Sequence, residues 1–580
     1  MFSTLRAQKK KPSIAVQLHF YHSIVKIMKN PNLFFRIVFI LTFAGFGYLS
    51  FRGLGNNVFW DDEAYTALLA KSIVTTGQAN GWDGKNIYGW RYGKELNDQF
   101  INVFTPRLQL YTTAISMKLF GGSAFAARLP HALFGLLALF FLYKYTRKFI
   151  FHDPYWALLV PVYLGLSPSF YLYIRQCRYY AEVILFTTIS LYLYKHIFSL
   201  KWPGRILLIL SLVAIFVANY ICLAPLLVAL VAHVILFEKI GFDKKKWLSS
   251  LSVFVPTVIL AILIFYHTNP TFQVMEVLES GSWFLRKSIL LFWNFRDINF
   301  FEWFPVILFI GSLYLLCTKK CSDNLLLSHI SFIVTYIIII VLMSPQSVYI
   351  KNITELRALI QFFPIVAKIA DLRYLVGLFP LLAVVAVVSI QYLARNRIFV
   401  ALPILLLCCL TNLFTLKPFT VYGWQANFFS YIKEIHQDYE TSYEAAIAYM
   451  NNNAQDDDMV VVRPEYMTFP IMYYCPNYYY SGLLPLNKSH FSQQALARLP
   501  DYVFIEKAIP DWIICFGAHA RGLQNYFQYL NSKNIHYRLD ALLPVYWRDG
   551  TRPELPYHFF EPIKGFDKTK EGILIFKRTI

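Results

Sequence analysis

Long apolar runs alternate with short basic turns up to about Leu416, where the alternation stops and a more polar stretch begins. The runs lie near Leu33–Phe51, Leu129–Tyr145, Trp156–Ile174, Ala181–Tyr194, Ile206–Asn219, Ile221–Phe237, Trp247–Tyr266, Pro305–Cys317, Leu325–Met343, Tyr374–Leu393 and Phe399–Leu416. By length and hydropathy they predict about eleven membrane-spanning helices in residues 1–416. Phe104–Phe120 is only moderately apolar and carries Arg107 and Lys118, which predicts a helix lying in the interface. Beyond Lys417 the pattern changes to short helix and strand signals. Tyr443–Asn451, Ser492–Arg498 and Arg521–Lys533 read as helices, and Met459–Val462, Tyr502–Glu506 and Gly572–Lys577 as strands. Residues 417–580 are therefore expected to form a small α/β domain.

Charge sets the orientation. The turns holding Lys144/Arg147/Lys148, Lys195/Lys201/Arg205, Lys239/Lys244/Lys245/Lys246, Lys319/Lys320 and Arg395/Arg397 are all basic, as is the N-terminus with Lys9, Lys10 and Lys11. The positive-inside rule places all of these in the cytoplasm, provided Phe104–Phe120 does not cross. The first run lacks a small-residue cleavage site and reads as an uncleaved anchor. Residues 52–128, 267–304, 344–373 and the whole C-terminal domain then face outward.

The composition agrees with a polytopic membrane protein. Of 580 residues 57% are hydrophobic and 15% charged, against about a quarter charged in soluble proteins. The net charge of +20 does not point to nucleic acid, because many basic residues sit in inner turns and no zinc-finger spacing, RNP-like segment or long basic arm is present. The eight cysteines show no paired metal-ligand spacing. Cys475 and Cys515 fall in the polar C-terminal part, with their pairing left open.

Candidate chemistry begins at Phe59-Trp60-Asp61-Asp62-Glu63-Ala64-Tyr65, just after the first run. Such acids have a structural explanation, a helix N-cap ahead of Ala64–Val74. At the same outer face, basic residues fall where the positive-inside rule does not call for them. They are Arg175 and Arg178 in the turn Tyr173–Glu182, with Tyr179 beside them, Arg373 in Asp371-Leu372-Arg373-Tyr374, and Arg128 before the second run. Snorkelling to headgroups explains any one of them. Several together suit a lipid-linked phosphate, which guanidinium binds through paired charged hydrogen bonds.

The order of these segments resembles the C-type membrane glycosyltransferases, in the branch with the dolichyl-phosphate-mannose–protein mannosyltransferases and the lipid A aminoarabinose transferases. The resembling features are Asp62-Glu63-Ala64-Tyr65, Leu119-Phe120-Gly121-Gly122-Ser123 through Arg128-Leu129-Pro130, Ser167-Pro168 to Arg178-Tyr179-Tyr180-Ala181, and Arg373-Tyr374 to Pro380. The chain departs from the family at Thr105-Pro106-Arg107, where Lys-Pro-Pro or Pro-Pro is common. The resemblance implies transfer of a sugar from a polyprenyl-phosphate donor to a protein, lipid or glycan acceptor at the outer face; the membrane is expected to be a bacterial inner membrane, with an endoplasmic reticulum the other reading. It places the family's acidic pair at Asp62 and Glu63. Chemically, Asp62 would serve as general base with Glu63 and Asp61 positioning it, while Arg175, Arg178, Tyr179, Arg373 and Arg128 would hold donor phosphate. The one candidate cofactor is a divalent ion on Asp62 and Glu63, with His131 or His267 contributing, although a lone histidine is more often structural. A transporter or flippase of a lipid-linked glycan is the alternative function. Its usual inverted repeats are not found. A purely structural membrane protein leaves the acidic loop and the outer arginines without a role.

Overall fold

The computed structural model describes residues 30–238, 241, 243–268, 283–300, 306–317, 325–343, 372–415, 427–486, 490–517, 523–545, 547–548, 561–562 and 572–579. Its first part is helical. In chain order the helices are α1 (Pro31–Phe51), α2 (Asp61–Thr76), α3 (Arg107–Phe120), α4 (Ala124–Phe149), α5 (Pro154–Gly165), α6 (Pro168–Ile174), α7 (Tyr180–Tyr194), α8 (Trp202–Ala218), α9 (Tyr220–Phe237) and α10 (Lys244–Thr268). They continue as α11 (Trp283–Phe300), α12 (Val306–Cys317), α13 (Leu325–Met343), α14 (Phe379–Leu393) and α15 (Ile398–Leu410). Among the described residues six helices are long and apolar enough to cross a membrane, or seven if α5 and α6, bent by 68° at their break, form one broken span. The helices Tyr180–Tyr194, Trp202–Ala218 and Ile398–Leu410 are apolar but shorter. The chain is a multi-pass membrane protein. The predicted interfacial segment is helical as α3 and is not among the candidate spans.

Two prolines inside helices are compensated from outside. Pro130 has no N–H for the carbonyl of Ala126, and the Ser116 hydroxyl donates to that carbonyl at 2.5 Å. Pro161 leaves Ala157 in the same state, and Thr146 Oγ1 donates to it at 3.0 Å. Both repairs fasten α4, the first to α3 and the second to α5.

The C-terminal part adds α16 (Asn427–Glu434), α17 (Ser442–Asn453), α18 (Thr468–Tyr474), α19 (Gln493–Leu496) and α20 (Leu523–Ser532). Its strands are β1 (Met459–Arg463), β2 (Tyr479–Tyr480), β3 (Trp512–Phe516), β4 (His536–Leu543), β5 (Trp547–Arg548), β6 (Glu561–Pro562) and β7 (Ile573–Thr579). A five-stranded sheet runs β2-β1-β3-β7-β4. β1 is parallel to β2 and β3, and β7 is antiparallel to β3 and β4. α17 starts in a full capping box between Thr441 and Glu444.

One strand expectation fails. Tyr502–Glu506 is not a strand: Pro500 turns the chain into a 3-10 turn over Asp501–Val503, leaving one bridge from Phe504 to Leu484. The middle strand is instead Trp512–Phe516, buried at every position. A strand buried on both faces shows no polar alternation to mark it. Cys475 and Cys515 are both free and buried; Cys475 donates to Asn451 Oδ1 at 3.3 Å.

The sheet does not stand apart from the segment that follows α1. Phe59, Trp60, Tyr65 and Ile87 share one apolar core with Tyr443, Phe469, Tyr480 and Trp512. Asn86 extends the sheet edge, its Nδ2 donating to Tyr478 O at 3.0 Å and its Oδ1 accepting from Tyr480 N–H at 2.8 Å. Lys85 meets Asp457 at 2.6 Å. The loop carrying the acidic stretch is thus built into the C-terminal unit as well as tethered to α1 and α4.

Candidate active site

The acidic residues do not cap α2 from outside. Trp60 holds the cap position with extended backbone and no side-chain cap bond, and Asp61, Asp62 and Glu63 form the first turn. Negative charge there suits the unpaired N–H groups and the helix dipole. Consecutive helical residues point about 100° apart, so each carboxylate meets a different part of the fold.

Asp61 turns to the C-terminal unit, where its Oδ1 accepts the Tyr443 hydroxyl of α17. Glu63 is 1% exposed and turns inward. Its Oε1 accepts from Arg128 Nε at 2.9 Å and from Cys177 N–H at 3.0 Å, and its Oε2 accepts from Arg128 Nη2 at 2.7 Å. The remaining Arg128 donors reach the carbonyls of Leu54, Asn57 and Val58 at 2.9–3.3 Å. Glu63 and Arg128 therefore close on each other and on backbone.

Asp62 lies between two arginines from distant segments. Arg178 Nη2 is 3.1 Å and Arg373 Nη1 3.2 Å from the same oxygen, Oδ2. Arg178 also donates to Thr66 Oγ1 at 3.0 Å. Burial is the largest influence on Arg178 and works against its charge, but Asp62 together with Tyr180 and Tyr179 more than offsets it and holds the guanidinium more firmly protonated than usual. Among the described residues Asp62 Oδ1 takes no hydrogen bond, so one carboxylate oxygen stays open. Tyr179 places its backbone N–H on Gln109 Oε1 at 2.9 Å, while its buried hydroxyl makes no hydrogen bond among the described residues.

Arg175 is engaged elsewhere. Its guanidinium donates to the carbonyls of Leu49, Arg52 and Gly53 at 3.1, 2.7 and 2.9 Å, and to the Tyr431 hydroxyl at 3.2 Å. It clasps the end of α1 to α16. A cavity of about 50 Å³ opens between this clasp and Glu63, lined by Asn57, Glu63, Arg128, Arg175, Gln176 and Tyr431. That is room for water rather than a sugar.

Of the residues singled out in the sequence, Asp62, Arg178 and Arg373 come together. Asp61, Glu63, Arg128 and Arg175 surround them as bracing. Tyr443, Thr66, Gln109 and the Cys177 amide were not found from sequence, because nothing in their local pattern marks a partner 70 to 382 residues away.

A divalent ion does not fit these residues. Both oxygens of Glu63 are closed by Arg128 and the Cys177 amide, and Asp62 faces two cations. Among the described residues no three His, Cys, Asp or Glu side chains are grouped to hold a metal. His131 bonds to Thr113, and the side chain of His267 lies outside the described residues.

The fold and site define a multi-pass membrane protein with an acidic, arginine-braced centre where the start of α2, the α6–α7 turn and the 3-10 turn Leu372–Leu378 ahead of α14 meet. No family model matches the chain, and no curated protein matches it. Among solved structures it is similar to ArnT from Cupriavidus metallidurans bound to undecaprenyl phosphate, at 12% identity and a TM-score of 0.47, over 94% of this chain and 97% of that one. The apo state of the same ArnT gives 12% and 0.46 over the same shares. The archaeal oligosaccharyltransferase AglB from Archaeoglobus fulgidus, in complex with an inhibitory peptide and a dolichol-phosphate, gives 11% and 0.43 over 86% of this chain and 70% of that one.

Proposed function

We propose that the protein transfers a sugar from a polyprenyl-phosphate donor to an acceptor hydroxyl or amine at the outer face of a bacterial inner membrane. The observation that carries this reading is the convergence of Arg178 and Arg373 on Asp62. A displacement at an anomeric carbon needs a carboxylate to take the acceptor's proton and fixed positive charge to receive the leaving phosphate. Both are within one side-chain length here.

In the proposed step the acceptor oxygen or nitrogen attacks the anomeric carbon as the bond to the phosphate oxygen breaks, with inversion. The acceptor's proton passes to Asp62 Oδ1, and the bonding electron pair leaves with the polyprenyl phosphate. Arg178 and Arg373, with the Tyr179 hydroxyl, would turn from Asp62 toward that phosphate. Glu63, Arg128, Asp61 and Arg175 hold the frame. The basic inner turns support an outward-facing centre, and a sheet without a Gly-rich phosphate loop offers no obvious nucleotide site among the described residues.

The test is transfer by purified protein. Activity is expected with a polyprenyl-phosphate sugar and none with a nucleotide sugar alone. Transfer from a nucleotide sugar with no lipid intermediate present would reject the reading.

A further inference from the structure

Beneath the carboxylates lies a second pair of ionisable residues that the proposed reaction does not use. His131 follows Arg128 by one turn on α4, and Glu182 stands one turn beyond Arg178, inside α7. Both side chains are 0% exposed, with His131 Nδ1 3.9 Å from Glu182 Oε1. Neither that nitrogen nor either Glu182 oxygen makes a hydrogen bond of ordinary geometry. Thr112 faces Glu182 at longer range, and the Arg178 backbone faces His131. His131 Nε2 is 3.0 Å from Thr113 Oγ1 on α3.

The neighbours show what this pair separates. One turn before Thr113, Gln109 receives the Tyr179 N–H. One turn after His131, Gly135 lets α4 touch the end of α6, since a Cβ there would stand 2.5 Å from Ile174 Cδ1. Arg128, His131 and Gly135 thus share one face of α4. Above the pair, α4 holds Glu63 through Arg128, and the turn leading into α7 holds Asp62 through Arg178.

We infer that His131 and Glu182 are positioning residues, sharing one proton across the α4–α7 contact and so setting the distance between the Arg128–Glu63 and Arg178–Asp62 pairs. A buried carboxylate without a partner is costly, and the facing imidazole is the group able to share a proton with it. The gap is about 1 Å longer than a charged hydrogen bond, so the two helices must approach by that amount for the bond to form. Because Asp62 and Glu63 are adjacent on α2, such a movement reorients the open oxygen of Asp62. This inference rests on the role proposed for Asp62.

The experiment uses full-length protein in detergent, a polyprenyl-phosphate sugar as donor, and thermal unfolding as a control. Glu182→Gln keeps the shape but cannot share the proton. It is expected to lower kcat roughly 10- to 100-fold, the scale of a 1 Å misplacement, with donor KM within about twofold and unfolding unchanged. Exchanging the pair, His131→Glu with Glu182→His, is expected to recover most of the lost kcat. Wild-type kcat in Glu182→Gln would overturn the inference. So would a loss that tracks a lowered unfolding temperature and is not recovered by the exchange. An inactive wild type would instead reject the proposed reaction, so the two failures are distinguishable.

Discussion

The Tyr443 hydroxyl donates to Asp61 Oδ1 across 382 residues of chain, and joins the C-terminal unit to the first residue of the acidic turn. Tyr474, on α18, makes a second link in the opposite sense: its hydroxyl oxygen accepts the Phe59 N–H at 3.2 Å. The position of α2 is therefore set from the soluble side as well as from the membrane side.

Tyr443→Phe removes the hydroxyl and leaves a buried carboxylate short of a donor. A hydrogen bond to a charged group contributes about 1.5–3 kcal/mol. A lower unfolding temperature and reduced turnover are expected together, read by thermal denaturation and by a transfer assay on the same preparation.

Asp62→Asn keeps the size of the side chain but cannot accept the acceptor's proton. Turnover is expected to fall about a hundredfold or more, with expression and unfolding near wild type. A neutral amide also removes the carboxylate charge that Arg178 and Arg373 share at Asp62 Oδ2, so donor binding, measured separately, should not fall with turnover.

Arg373→Ala is expected to weaken donor use by roughly 1.5–3 kcal/mol, about ten- to a hundredfold in kcat/KM. Arg373→Lys should restore part of it, since lysine keeps the charge and lacks the planar two-pronged donor. A titration of kcat and KM against donor concentration separates the two variants.

Glu63→Gln tests bracing rather than chemistry. It leaves Arg128 charged and buried without its partner, and breaking a buried pair in this way costs about 3–5 kcal/mol. Loss of folded protein is expected to exceed that of Asp62→Asn, measured by unfolding in detergent.

The sequence alone determined the membrane class, the places of most apolar helices though not the break inside Trp156–Ile174 or the helix Trp283–Phe300, the helical character of Phe104–Phe120, and the stretch that carries the acids. These follow from hydropathy and charge, which act locally and leave a pattern in consecutive residues. It also singled out Asp62, Arg178 and Arg373, as acids and bases at one membrane face. Only the tertiary structure divided the roles among neighbours. Asp61, Asp62 and Glu63 look alike in the chain, yet their directions around α2 give one to Tyr443, one to two arginines and one to Arg128. Arg175 and Arg178 are three residues apart, but the former clasps the carbonyls of Leu49, Arg52 and Gly53 while the latter reaches Asp62. The strand Trp512–Phe516 and the core shared by the first loop and the sheet were likewise settled by long-range packing. Partners hundreds of residues apart are chosen by how helices pack, and no local pattern records that choice.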